Sequence, residues 1–280
     1  MPTQYGNSRL SEAEIVRWAA SLEVSPGVAM APAVASAARG RRPVISKVPG
    51  PRLDARLHGG SATLEQLQHV GRALAVLHAA APPGRHSVML ESLPWNPLPL
   101  RLWSGLSSTQ RRLLGALHRD SALRHLGSVT HTLLTKGPVW CHGDARTNNV
   151  VVDRNGVPYF IDWECAGLGR PEADLGAFCG SLITDALVPM DAPHGAEAQA
   201  ELRSAMDTAA IHVRAALSAY RGAGGAELNR ELLAASVGCC LLARAFLRAA
   251  MTGRDRIVAA LHSIGRGLLK DSERWEAIDR

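Results

Sequence analysis

Two short β-branched and aromatic runs, Val150-Val151-Val152 and Tyr159-Phe160-Ile161, flank Asp153-Arg154-Asn155-Gly156. Asn-Gly tolerates positive φ, so the segment reads as a β-hairpin turning at Asn155-Gly156. A hairpin brings the loop before its first strand beside the residues after its second. Asn149 and Asp162 are therefore expected to approach each other despite their separation in sequence, with Asp144 on the loop just upstream. Two oxygen donors at the open end of a hairpin suit magnesium, which takes few protein ligands and completes its shell with water and substrate phosphates. Asp144 is placed to accept a hydrogen bond from an attacking hydroxyl. Asp144 alone reads equally as a turn residue and Asn149 alone as a capping residue. The three together at this spacing point to metal-and-hydroxyl chemistry.

Around this hairpin the chain is mostly helical by pattern. Ser11 is a good N-cap with Glu14 as its capping-box partner, and Ile15, Trp18 and Leu22 follow on one face. Val24 to Gly40 reads as an extended or weak-strand connection, and Pro43 to Val48 as a short strand stopped by Pro49-Gly50-Pro51. Leu64, Leu67, Val70, Leu74 and Leu77 repeat at helical spacing within a helix over 61–80. Two more helices are expected over 107–118 and 121–134, and Val139-Trp140-Cys141 leads into the Asp144 loop. From Leu175 onward the pattern is helical, with loops near 189–195 and 222–225.

Composition narrows the partners. A net charge of +6 repels polycations. Only Lys47, Lys136 and Lys270 supplement the arginines, which are scattered and without an aromatic-and-basic motif, so nucleic acid is not the expected partner. No apolar run approaches the roughly 18–20 residues of a membrane span, and the start lacks an apolar signal region; a cytoplasmic protein is expected. Five cysteines without a CxxC pair fit reduced thiols, and the histidines form no HxH or HExxH arrangement, which argues against a zinc enzyme.

His142-Gly143-Asp144 followed by Asn149 resembles the catalytic loop of the aminoglycoside phosphotransferase and choline kinase families, and Ile161-Asp162-Trp163-Glu164 resembles their metal-binding strand end. The stretch Ala166 to Leu175 looks like the same families' next segment, whose Asp, here Asp174, is structural. Val44 to Gly50 is similar to their hinge strand, and Gly71 to His78 to the following helix. The resemblance implies an α+β, protein-kinase-like fold with a reduced N-terminal lobe over 1–48 and a mostly helical catalytic lobe over 49–280. It implies an ATP-dependent phosphotransferase acting on a hydroxyl. Asp144 would be base or hydroxyl-orienting residue, Asn149 and Asp162 would hold Mg2+ against the phosphates, and Ser46 and Val48 would contact the nucleotide. Arg146 stands where protein kinases often carry a lysine directed at the transferred phosphate; it reads equally as a phosphate contact or a surface ion pair. His142 is expected to brace the loop.

The start departs from the family. No lysine precedes Lys47, which falls in the hinge itself, and Gly6, Gly27 and Gly40 make no phosphate-covering loop. One helix and one or two strands would remain of the small lobe, with Glu12 or Glu14 lacking its usual lysine partner. Three arrangements are compatible with this: an enzyme active alone, with Arg146, Arg39, Arg41 or Arg42 as the substitute cation; an enzyme completed by a protein partner at the hinge edge; or a silent, pseudokinase-like binding protein. Charge favours a neutral or acidic acceptor over a polycation. Relatives that phosphorylate Ser or Thr of a precursor peptide in lanthipeptide and thioamide-peptide pathways supply one such candidate.

Overall fold

The computed structural model describes residues 9–25, 28–35, 43–190, 195–251 and 255–280. The first helix, α1 (Glu12–Ala19), begins as the sequence dictates: Ser11 N–H and Oγ both donate to Glu14 Oε2, at 2.8 and 2.7 Å. Its apolar side buries Ile15, Val16 and Ala19. Four short strands follow as two antiparallel ribbons, β1 (Glu23–Ser25) with β2 (Val28–Ala29) and β3 (Val34–Ala35) with β4 (Val44–Ile45). In the described part of 24–40 the weak-strand alternative is the one that forms, because the antiparallel pairing supplies the ladder that local propensity lacks.

This lobe and the segment just after it are both joined to the hairpin. Met30 O accepts from Phe160 N at 2.9 Å, Pro51 O accepts from Val152 N at 2.9 Å, and Arg52 bridges Val151. The hairpin itself is β6 (Val150–Val152) and β7 (Pro158–Phe160), with Val151 opposite Tyr159. Its turn differs from a two-residue Asn-Gly turn. Asp153 N donates to Val157 O, Asp153 Oδ1 accepts from both Asn155 N and Val157 N, and of the turn residues only Gly156 takes positive φ, at 82°. That is a three-residue loop closed by a left-handed glycine.

A helix the sequence pattern did not show, α2 (Leu53–His58), leads to α3 (Leu64–Ala79), capped by Thr63 and Gln66. After α4 (Leu100–Ser104) come α5 (Ser108–Arg119) and α6 (Ser121–Leu134), close to their expected bounds. Val139–Cys141 is a true strand, β5, paired antiparallel with β8 (Gly167–Gly169). The rest is helical: α7 (Pro171–Leu187), α8 (Ala196–Gly222), α9 (Arg230–Arg248), α10 (Asp255–Lys270) and α11 (Glu276–Asp279). Buried α7 lies at the centre, against α8 on one side and α9 on the other. No described helix is long and apolar enough to cross a membrane.

Candidate active site

The loop between β5 and β6 carries the candidate residues, and its shape is fixed from below. Gly143 turns at φ 84°, where a Cβ would stand 2.5 Å from Cys165 O, so only glycine fits the approach. The N–H groups of His142 and Gly143 both donate to the buried Asp174 carboxylate, at 2.7 and 2.8 Å. His78 Nε2 lies 3.1 Å from the same carboxylate, and its Nδ1 lies 3.0 Å from Tyr220 Oη. Burial alone would raise the Asp174 carboxyl; the His78 hydrogen bond and imidazole, with His142, outweigh it and hold the group below its ordinary value. Further along, Thr147 N donates to Ser181 Oγ at 3.2 Å and Thr147 Oγ1 to Asp185 Oδ2 at 2.6 Å. Asp174, Ser181 and Asp185 fall on one face of α7, since seven and eleven residues are close to whole helical turns. Polar residues at that spacing in an otherwise apolar helix were the readable signal for this second layer.

His142 braces the loop from above. Its Nε2 lies 3.0 Å from Ile161 O and its Nδ1 3.2 Å from Asp144 N. A carbonyl can only accept and an amide N–H only donate, so the ring is the neutral Nε2–H tautomer. Burial depresses the His142 imidazolium well enough to outweigh Asp174, Asp144, the Ile161 carbonyl and Asp162, which all favour it. The unfolded chain therefore takes up protons near the ordinary value of 6.5 while the folded chain does not, and stability falls as pH drops through that value. His69, His212 and His262 are depressed by burial in the same direction. Urea midpoints are expected to fall between about pH 7.5 and 5.5; a flat profile would show that these imidazoles are not held neutral by the fold.

The structure brings Asp144, Asn149 and Arg146 into direct contact. Asn149 Nδ2 donates to Asp144 Oδ2 at 2.7 Å and to its backbone O at 3.0 Å, which leaves the amide oxygen as the free acceptor. Arg146 Nη2 donates to Asp144 Oδ2 at 2.6 Å, Nε lies 2.5 Å from Oδ1, and Nη1 reaches Glu91 Oε2 at 3.4 Å. Asp162 is placed by the hairpin: Ile161 N donates to Asn149 O at 2.9 Å, one residue away. It is exposed and, at φ 65°, the only non-glycine with positive φ among the described residues. Asp144 and Asp162 both favour the His142 imidazolium, and both raise the Cys165 thiol after burial has done so. An exposed carboxylate at Asp162 and an amide oxygen at Asn149 are donors of the kind a hard cation takes. Ser46 and Val48 follow β4, and Ser46 N donates to Ala33 O at 2.9 Å.

Two contacts beside the site escaped the sequence reading. Glu12 Oε1, from α1, accepts from Trp163 N at 3.3 Å and so ties the first helix to the Asp162 turn. Arg9 donates to Glu164 O and acts on Cys165 against the carboxylates around it. Arg39, Arg41 and Arg42 lie outside the described residues.

A small lobe on a mostly helical lobe, with Asp144 on the loop before the hairpin and Asp162 just after its second strand, is the architecture of the kinase-like phosphotransferases. A family model described as the phosphotransferase enzyme family matches residues 3–236, and the chain belongs to that family. Among solved structures it is similar to a choline/ethanolamine kinase family protein from Mesorhizobium loti, at 14% identity over 96% of this chain and 82% of that one, with a TM-score of 0.52. That likeness carries the fold. It is also similar to a macrolide 2'-phosphotransferase from Brachybacterium faecium, at 19% identity over 93% and 78% of the two chains, TM-score 0.42. A spectinomycin phosphotransferase solved with ADP and spectinomycin matches at 14% identity over 83% and 70%, TM-score 0.40. No curated protein matches the sequence significantly.

Proposed function

We propose that this phosphotransferase moves the γ-phosphoryl group of ATP to a hydroxyl acceptor, with Asp144 receiving the hydroxyl hydrogen bond and proton. The reading rests chiefly on the Asp144 carboxylate, held by Asn149 Nδ2 at 2.7 Å on a loop pinned to Asp174. Asn149 and Asp162 are the pair we assign to Mg2+, which when bound offsets charge on the phosphates. The nucleotide base falls to the hinge at Ser46 and Val48, with the two lobes meeting near residue 48. Arg146 is engaged by Asp144 and Glu91. Arg9, whose guanidinium donates two residues beyond Asp162, is therefore the better-supported substitute for the absent phosphate lysine. Completion by a protein partner is the second reading, favoured by Val44, a large apolar side chain 64% exposed on the β4 ribbon.

Thermal shift tests the metal pair. Saturating Mg-ATP is expected to stabilise the wild type by about 2.7 kcal/mol at a hundredfold excess over Kd. Asp162→Asn should lose that shift while melting like the wild type without ligand, because Asn tolerates the left-handed conformation as Asp does. Retention of the full shift in the variant would sink the assignment. A nucleotide shift seen only with a co-purified neighbour would move the case to the partner reading.

A further inference from the structure

Gly143 and Asp144 form part of the wall of a recess of about 70 Å³. On the proposed reading this is where the acceptor hydroxyl must sit. Its remaining walls are largely apolar: Leu90, Leu93 and Trp95 from the irregular segment after α3, Leu134 from the end of α6, and Ala243 from α9. Among the described residues Asp144 and Glu91 are the only carboxylates lining it, and the Arg146 guanidinium is paired with both. A second cation, Arg244, stands behind the wall, its Nε donating to Cys240 Sγ at 3.4 Å. The negative charge of the lining is thus already matched, with arginine on two sides.

Those conditions select an acceptor. An ammonium entering here would lose its hydration beside Arg146 and Arg244 and find no unpaired carboxylate to replace it. An apolar group loses nothing and gains contact with the leucines and Trp95. Size bears on it too: the recess of about 70 Å³ is open to solvent, so it encloses a short arm carrying the hydroxyl while the rest of the acceptor extends outward. We infer that the acceptor is an uncharged alcohol whose hydroxyl sits on a short aliphatic arm, of threonine-like or small-diol chemistry. In the transfer the alcohol oxygen forms the new bond to phosphorus and its proton passes to Asp144. The bond from the γ-phosphorus to the bridging oxygen breaks, and that oxygen leaves with ADP.

The experiment compares acceptors that differ by one charge, using the full chain with Mg-ATP and reading ADP release and acceptor phosphorylation. N-acetylthreonine amide and 1,2-propanediol are set against threonine amide and 1-amino-2-propanol. The neutral pair is expected to exceed the cationic pair by about tenfold or more in kcat/KM. Filling the recess with Ala243→Phe should remove most of the neutral turnover while leaving the Mg-ATP thermal shift in place; Leu93→Phe serves the same purpose should the first variant melt low. Equal or better use of the ammonium acceptors, indifference to the filled recess, or no transfer to either pair by a protein that binds Mg-ATP overturns the inference alone. Absence of any Mg-ATP shift in the wild type overturns the phosphotransferase reading beneath it.

Discussion

Asp144→Asn is expected to slow phosphoryl transfer by about 10²–10⁴-fold with the fold intact, the usual worth of a positioned general base. The substitution keeps the shape of the side chain and removes its capacity to take a proton. Asn149 Nδ2 can still donate to the new amide oxygen, so the loop geometry that depends on the 2.7 Å contact survives. What is lost structurally is the ion pair with Arg146, and both partners are partly exposed. Pairs of that kind contribute about 0–1 kcal/mol, so the melting curve should barely move. The Mg-ATP thermal shift should persist too, because the metal pair is assigned to Asn149 and Asp162. Initial rates with a working acceptor, alongside melts of the same samples, separate these effects. A variant that melts normally and transfers phosphate at the wild-type rate removes Asp144 from the chemistry.

Much of this site was legible because its signals are local. The Asp153 to Gly156 turn and the Ser11–Glu14 box each lie within a few residues, and each forms a contact between the named side chains and nearby backbone. The hairpin then converts a local fact into a longer-range one by placing Ile161 N on Asn149 O. The illegible parts are those whose cause lies elsewhere in the chain. Gly167-Leu168-Gly169 has poor strand propensity and is a strand because β5, far upstream, offers it a partner. Helix α2 is short, and its His58 lies 3.2 Å from Asp185, a contact no window around residue 58 contains. Glu12 or Glu14 was read as lacking a lysine partner, and Glu12 has another, the backbone N–H of Trp163, which no side-chain motif encodes. Arg9 escaped for the same reason, since its acceptor is the carbonyl of Glu164.

Asp174→Ala is expected to destabilise the folded chain by about 3–5 kcal/mol, the range for removing one member of a buried charged network. The carboxylate is fully buried and serves three donors at once: His142 N, Gly143 N and His78 Nε2. Alanine leaves all of them without an acceptor, and each orphaned buried donor costs about 1–3 kcal/mol. Total stability of a domain is only about 5–15 kcal/mol, so the loss is a large share, and urea unfolding should show it as a lower midpoint at unchanged slope. Asp174→Asn is no rescue, since its NH2 group would have to face one of those donors. The acid limb supplies an independent check on the cause. The folded-state carboxyl lies below its ordinary value of 3.8, so its contribution is present above that pH and is lost as pH falls through the depressed value. The gap between wild type and Asp174→Ala should therefore be widest near neutrality and narrow only in strong acid. A gap that stays constant down to the acid transition would mean that the carboxylate's size, and not its charge, anchors the catalytic loop to α7.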